Sequence, residues 1–173
     1  MKYLLIVWIV LSASACKNAT ETKTVAATPM RVFKQTVDSV FASTDANGRQ
    51  PVAYIILPNS GCGGCISSAE QLLTEYGKKK LPLRFILTNI NSFKEVKNNF
   101  GDSVVSSPAV YPDHDNIFYL KNPSFDQIYP AIVYVDKTGE PVRMEYINPG
   151  NPEAIPHLHK YVDSATASAK PGM

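Results

Sequence analysis

Residues 52–77 read VAYIILPNSGCGGCISSAEQLLTEYG. Val52, Ala53, Tyr54, Ile55, Ile56 and Leu57 form an unbroken apolar run, bounded by Pro51 on one side and by Pro58, Asn59, Ser60 and Gly61 on the other. A short apolar run between turn residues is the pattern of a strand buried on both faces at the centre of a sheet. After Gly61 the period changes. Ile66, Ala69, Leu72, Leu73 and Tyr76 recur at helical spacing, and Gly77 is placed to end the helix. A strand, a tight turn and a helix therefore follow one another, with Cys62 and Cys65 on the helix's first turn.

Upstream, Phe33, Val37, Val40 and Phe41 mark one face of a helix that starts near Arg31 and ends before Asp45. Downstream, residues 81–87 predict a second strand, and Lys78, Lys79 and Lys80 before it are a solvated basic patch of the kind favoured at a helix C-terminus. Ser92 and Glu95 are spaced as a capping box for a short helix through Phe93, Val96 and Phe100, which Gly101 terminates. Residues 106–116, rich in Pro, Asp and Ser, read as a loop, and residues 117–120 as a short strand or part of the next helix. Residues 131–135 and 142–147 flank a polar turn as an antiparallel hairpin. Asn151 with Pro152, or Pro156, opens a last helix to about Asp163. Strands alternating with helices make the class α/β.

The full chain has 173 residues, enough for one domain with a real core. Apolar residues make up 45% and charged residues 18%, which excludes a low-hydrophobicity disordered chain. A formal net charge of +2 provides no electrostatic footprint for nucleic acid. At the N-terminus, Lys2, an apolar run from Tyr3 to Leu11, and small residues up to Ala15 predict an export signal over residues 1–15. The run is shorter than the roughly 20 residues a spanning helix needs. Small residues ending at Cys16 resemble the bacterial lipoprotein signal, in which the cysteine becomes the lipidated first residue; Ala13 stands where that signal usually has leucine. Lipid on Cys16 would hold the chain on a membrane of the cell envelope, facing the periplasm or the exterior. Residues 16–30 then form a lipidated tether, residues 31–163 the folded domain and residues 164–173 a disordered tail.

Two cysteines three apart can be a zinc half-site, an iron–sulfur fragment, a structural disulfide or a redox dithiol. Four-cysteine sites are excluded because the chain has only three cysteines, and the third, Cys16, lies across the tether. His157 and His159 could complete a Cys2His2 set, and His114 sits between Asp113 and Asp115, but no spacing makes them converge; no metal and no cofactor are expected. A structural disulfide across so short a loop would stabilise little. Position favours redox chemistry. Unpaired amides and the positive end of the helix dipole stabilise a thiolate at Cys62, making it the attacking sulfur. Cys65 lies one turn deeper, and the two glycines between them let the turn adapt to closing the bond. Attack by Cys62 on an outside disulfide would give a mixed disulfide, which Cys65 resolves by attacking the Cys62 sulfur.

The apolar strand leading into Cys62 and Cys65 at the head of a helix resembles the active-site segment of the thioredoxin superfamily. Residues 128–139, from Ile128 and Tyr129 through Pro130 to Gly139, are similar to the family's proline segment entering its strand and hairpin. The resemblance covers about residues 31–163. It implies a thioredoxin-like three-layer sandwich, a central mixed sheet with helices on both faces. It also implies a cis Pro130 against the cysteines, with Tyr129 offering backbone hydrogen bonds to a bound peptide. The length of the central stretch resembles the exported, membrane-tethered branch concerned with thiol reduction and cytochrome maturation. Gly61, Gly63 and Gly64 stand where thioredoxin has tryptophan and proline, and Ile56 stands where the family often has a buried acid, so the family's redox potential does not transfer.

Other constellations are missing. No serine sits in a nucleophile elbow, the glycines lack the Lys and Ser or Thr of a phosphate loop, and Asp113, Asp115 and Asp126 lack calcium-loop spacing. Peroxide reduction lacks the family's Thr and Arg near Cys62. The expectation is a monomeric thiol-disulfide oxidoreductase acting on protein thiols or disulfides. The competing class is a binding lipoprotein with the cysteines locked as a disulfide or metal clip.

Overall fold

The computed structural model describes residues 22–41, 51–79 and 81–168. The export signal, Cys16 and the start of the tether lie outside the described residues. In chain order the elements are α1 (Thr22–Phe41), β1 (Ala53–Pro58), α2 (Gly63–Tyr76), β2 (Leu83–Thr88), α3 (Phe93–Phe100), α4 (Asp102–Val105), β3 (Val110–Pro112), α5 (Ile117–Lys121), β4 (Ala131–Val135), β5 (Pro141–Tyr146) and α6 (Ala154–Ser168). Among the described residues no helix is long and apolar enough to cross a membrane.

The strands form one sheet in the order β3-β2-β1-β4-β5, so β1 is central and all six of its residues are buried. β1 runs parallel to β2, and β2 to β3, while β4 is antiparallel to both β1 and β5. This is a mixed sheet with helices on both faces, the thioredoxin-like α/β sandwich. Because side chains alternate along a strand, β1 sends Ala53, Ile55 and Leu57 to one face and Tyr54 and Ile56 to the other.

The first face packs Ala69, Leu72 and Leu73 of α2 and Leu158 and Val162 of α6. Leu73 and Leu158 are fully buried, each worth about 1.5–3 kcal/mol in area removed from water. The second face is aromatic: Phe33 of α1 has its ring 5.4 Å from Tyr54, 5.8 Å from Phe118 and 5.7 Å from Phe125. The helical stripe of Phe33, Val37 and Phe41 is thus the face α1 lays on the sheet. The Ser92 half of the predicted capping box of α3 forms: the Ser92 hydroxyl accepts from the Glu95 amide, and Gly101 follows the helix at φ 80°.

Three boundaries depart from the sequence reading. α1 begins at Thr22 and passes through Pro29, inside the segment assigned as a tether. Helix nucleated by the Phe33–Phe41 stripe extends N-terminally with the help of Ala26 and Ala27, against the cost of Pro29, which loses a backbone bond and crowds the preceding turn. The loop assigned to residues 106–116 contains β3, a three-residue edge strand whose Pro112 is tolerated because an edge leaves one side of the ladder unpaired. Of the two readings open for residues 117–120 the helical one holds, as α5. The tail assigned to residues 164–173 is helical as far as Ser168, with the Ser164 and Thr166 hydroxyls donating back to the carbonyls of Tyr161 and Asp163. The remainder of that tail lies outside the described residues.

Candidate functional site

β1 ends at Pro58, and four residues later Cys62 occupies the cap position of α2. The turn between them is built on Gly61, whose φ of +144° suits glycine. A Cβ there would also collide with the main chain of Ile128. That close approach lets the Cys62 amide donate to the Ile128 carbonyl at 3.0 Å. The Cys62 carbonyl in turn accepts the first helical bond of α2, from Ile66 at 2.9 Å. The residue is therefore fixed from both sides of its own peptide planes.

Cys62 and Cys65 are joined as a disulfide, with their Cα atoms 5.3 Å apart. Cys65 is buried in the core under α2, and Cys62 is half-buried. The intervening Gly63 and Gly64 are exposed, and nothing lies within 4 Å of a Cβ built on either. Among the described residues no side chain caps α2, which leaves its first amides to the solvent or to a ligand in front of the cysteines.

Beside the disulfide runs a groove of about 320 Å³, lined by Cys62, Gly64, Cys65 and Ser68 on one side. The opposite wall is the connection from β5 into α6, with Ile147, Asn148, Pro149, Asn151, Pro152 and Ile155. Apart from the cysteines, none of the described residues lining it ionises. Glu70, close to the pair in sequence, faces a different depression of about 500 Å³ between α2 and α3, together with Glu75 and Asn99.

Tyr129 is half-buried against the same core cluster as Cys62, and Pro130 is buried with its carbonyl accepting from Ile147 at 2.8 Å. Neither lines the groove. The Tyr129–Pro130 bond is trans, in contrast to the cis bond implied by the resemblance: the extended chain runs straight into β4 and continues its ladder with β5. The main-chain contact with the cysteine turn falls to Ile128. Ile128 itself is held by its amide donating to the Asp126 carboxylate at 2.8 Å, and its side chain is exposed.

The histidines each sit with other partners. His157 is 3.2 Å from the Glu145 carboxylate, His159 is 2.8 Å from the Tyr76 hydroxyl, and His114 packs on Phe93 with ring centres 3.9 Å apart. Among the described residues no cluster of three or more histidine, cysteine or acidic side chains could hold a metal ion. Glu145 also accepts from the Tyr134 hydroxyl, and Arg143 lies 4.2 Å over the Tyr134 ring. Burial first, and the Glu145 charge second, push the Tyr134 phenol up to about 12.

The groove wall at Asn148, Asn151 and Ile155 was not found by sequence reasoning. Its signal, two Asn-Pro pairs between a strand and a helix, reads as a turn and a helix start unless the cysteines are known to lie opposite. No protein-family model matches the sequence, and a comparison with the curated proteins returns no match.

Proposed function

We propose that the protein is an exported thiol-disulfide oxidoreductase, tethered by lipid on Cys16, that exchanges disulfides with protein substrates through Cys62 and Cys65. The observation carrying this reading is a disulfide on the first turn of a core helix, with Cys62 half-buried and Cys65 buried, beside an open groove whose described lining residues carry no fixed charge. Cys62 is the outer sulfur and the one a partner reaches; the open amides of α2 favour its thiolate when the bond is reduced. Tyr129 and Pro130 support the groove region from the core side, with Ile128 fixing the cysteine turn.

The exchange balances as two displacements. A Cys62 thiolate attacks a partner disulfide, forming a Cys62–partner bond and releasing one partner thiolate. Cys65 then attacks the Cys62 sulfur, re-forming the internal disulfide and releasing the second partner thiolate. Two electrons pass from the protein dithiol to the partner, and two protons end on the partner's thiols. With the protein disulfide as reactant the same steps run in reverse and oxidise a partner dithiol.

Cys65→Ser tests it by removing the resolving thiol. The variant is expected to accumulate partner proteins on Cys62, released by dithiothreitol and absent from a Cys62→Ser Cys65→Ser control. A chain whose pair is a structural clip would capture none.

A further inference from the structure

We infer that Asn148 is the substrate-positioning residue of the groove, its side-chain amide holding a main-chain carbonyl of an extended peptide whose residue beside the reacting cysteine is uncharged. The inference rests on the oxidoreductase reading and names the substrate that site takes. Several donors along the wall opposite the cysteines are spent or missing. Pro149 and Pro152 have no N–H. The Gly150 amide donates to the Asn148 Oδ1 at 2.9 Å, and the Asn151 amide donates to the Asn148 carbonyl at 3.0 Å. The Asn151 side chain donates to the Tyr146 carbonyl at 3.3 Å, and the Ile147 amide to Pro130.

The Asn148 side chain differs from these. Its Oδ1 is anchored on Gly150, which fixes the plane of the carboxamide, while its Nδ2 has no partner among the described residues. An anchored amide with a free N–H pair, on a residue that lines the same groove as both cysteines, is a preorganised donor for a peptide carbonyl. Around it stand Ile147, Pro149, Pro152 and Ile155, apolar surface without a counter-charge for an acidic or basic neighbour of the substrate cysteine.

The test uses the reduced full chain, the disulfide dimer of acetyl-Ala-Val-Cys-Val-Ala-amide, and hydroxyethyl disulfide, which has no peptide carbonyl. Asn148→Ser keeps an oxygen to accept from Gly150 and so keeps the turn, but loses the amide donor. The ratio of the peptide rate to the hydroxyethyl disulfide rate should fall by about five- to tenfold, the size of one lost hydrogen bond. Replacing the valines of the peptide by aspartate should slow the wild type by a similar factor. If the wild type exchanges with both disulfides while the Asn148→Ser ratio stays at the wild-type value, the role of Asn148 is refuted and the oxidoreductase reading survives. If the wild type exchanges with neither, the oxidoreductase reading falls and takes this inference with it.

Discussion

Gly61 bears a heavier constraint than either glycine between the cysteines. Its backbone lies at positive φ, and the space a side chain would need is filled by the Ile128 main chain, whereas Gly63 and Gly64 have open space around them. Gly61→Ala should therefore cost at least about 2 kcal/mol, through strain and the lost approach of Ile128 to Cys62. Gly64→Ala should instead gain up to about 1 kcal/mol by reducing the freedom of the unfolded chain within a helix. Paired urea titrations of the oxidised proteins measure both, and equal destabilisation by the two substitutions would contradict this account of the turn. The sequence shows a glycine on either side of Cys62, but the difference between them arises from Ile128, far along the chain, and no local pattern carries it.

At the scale of elements, β5 and α6 are locked together by a polar cluster over the end of the sheet. Tyr134 of β4 donates to Glu145 of β5, which also receives Arg143 and faces His157 of α6. Since burial raises the Tyr134 pKa to about 12, the folded state holds that proton more tightly than the unfolded state, whose tyrosines lose theirs near 10. The stabilisation is complete below the unfolded value and disappears as pH rises through the folded one. Stability should fall from about pH 10 to about pH 12. Tyr76 and Tyr111, also raised by burial, add the same sign. Tyr134→Phe removes the largest of these contributions, so its stability should fall less steeply across that window in denaturant titrations at stepped pH. An equal slope would contradict the assignment. Elements were legible where period and boundary agreed, as in β1, α2 and the β4–β5 hairpin. β3 was not, because three residues with a proline give no period, and its strand identity comes from pairing with Phe85, Ile86 and Leu87.

For the whole molecule, the sheet divides two cores, one under α2 and α6 and one under α1, and brings the end of β1, the head of α2 and the β5–α6 connection to a single rim. The sulfur side of that rim was readable, since a glycine-flanked cysteine pair at a strand-to-helix junction has few physical meanings. The facing wall was not, because it depends on long-range strand order that places β4 between β1 and β5. The reading as an oxidoreductase requires a bond that opens and closes under biological thiol conditions, rather than one that merely ties two residues of a helix. Equilibrating the full chain in glutathione buffers of graded ratio and counting free thiols at Cys62 and Cys65 decides between them. The account predicts a reversible two-electron transition at a potential above about −300 mV, within the span of disulfide-exchanging proteins. A pair still fully oxidised below that potential would mark a structural bond and contradict it.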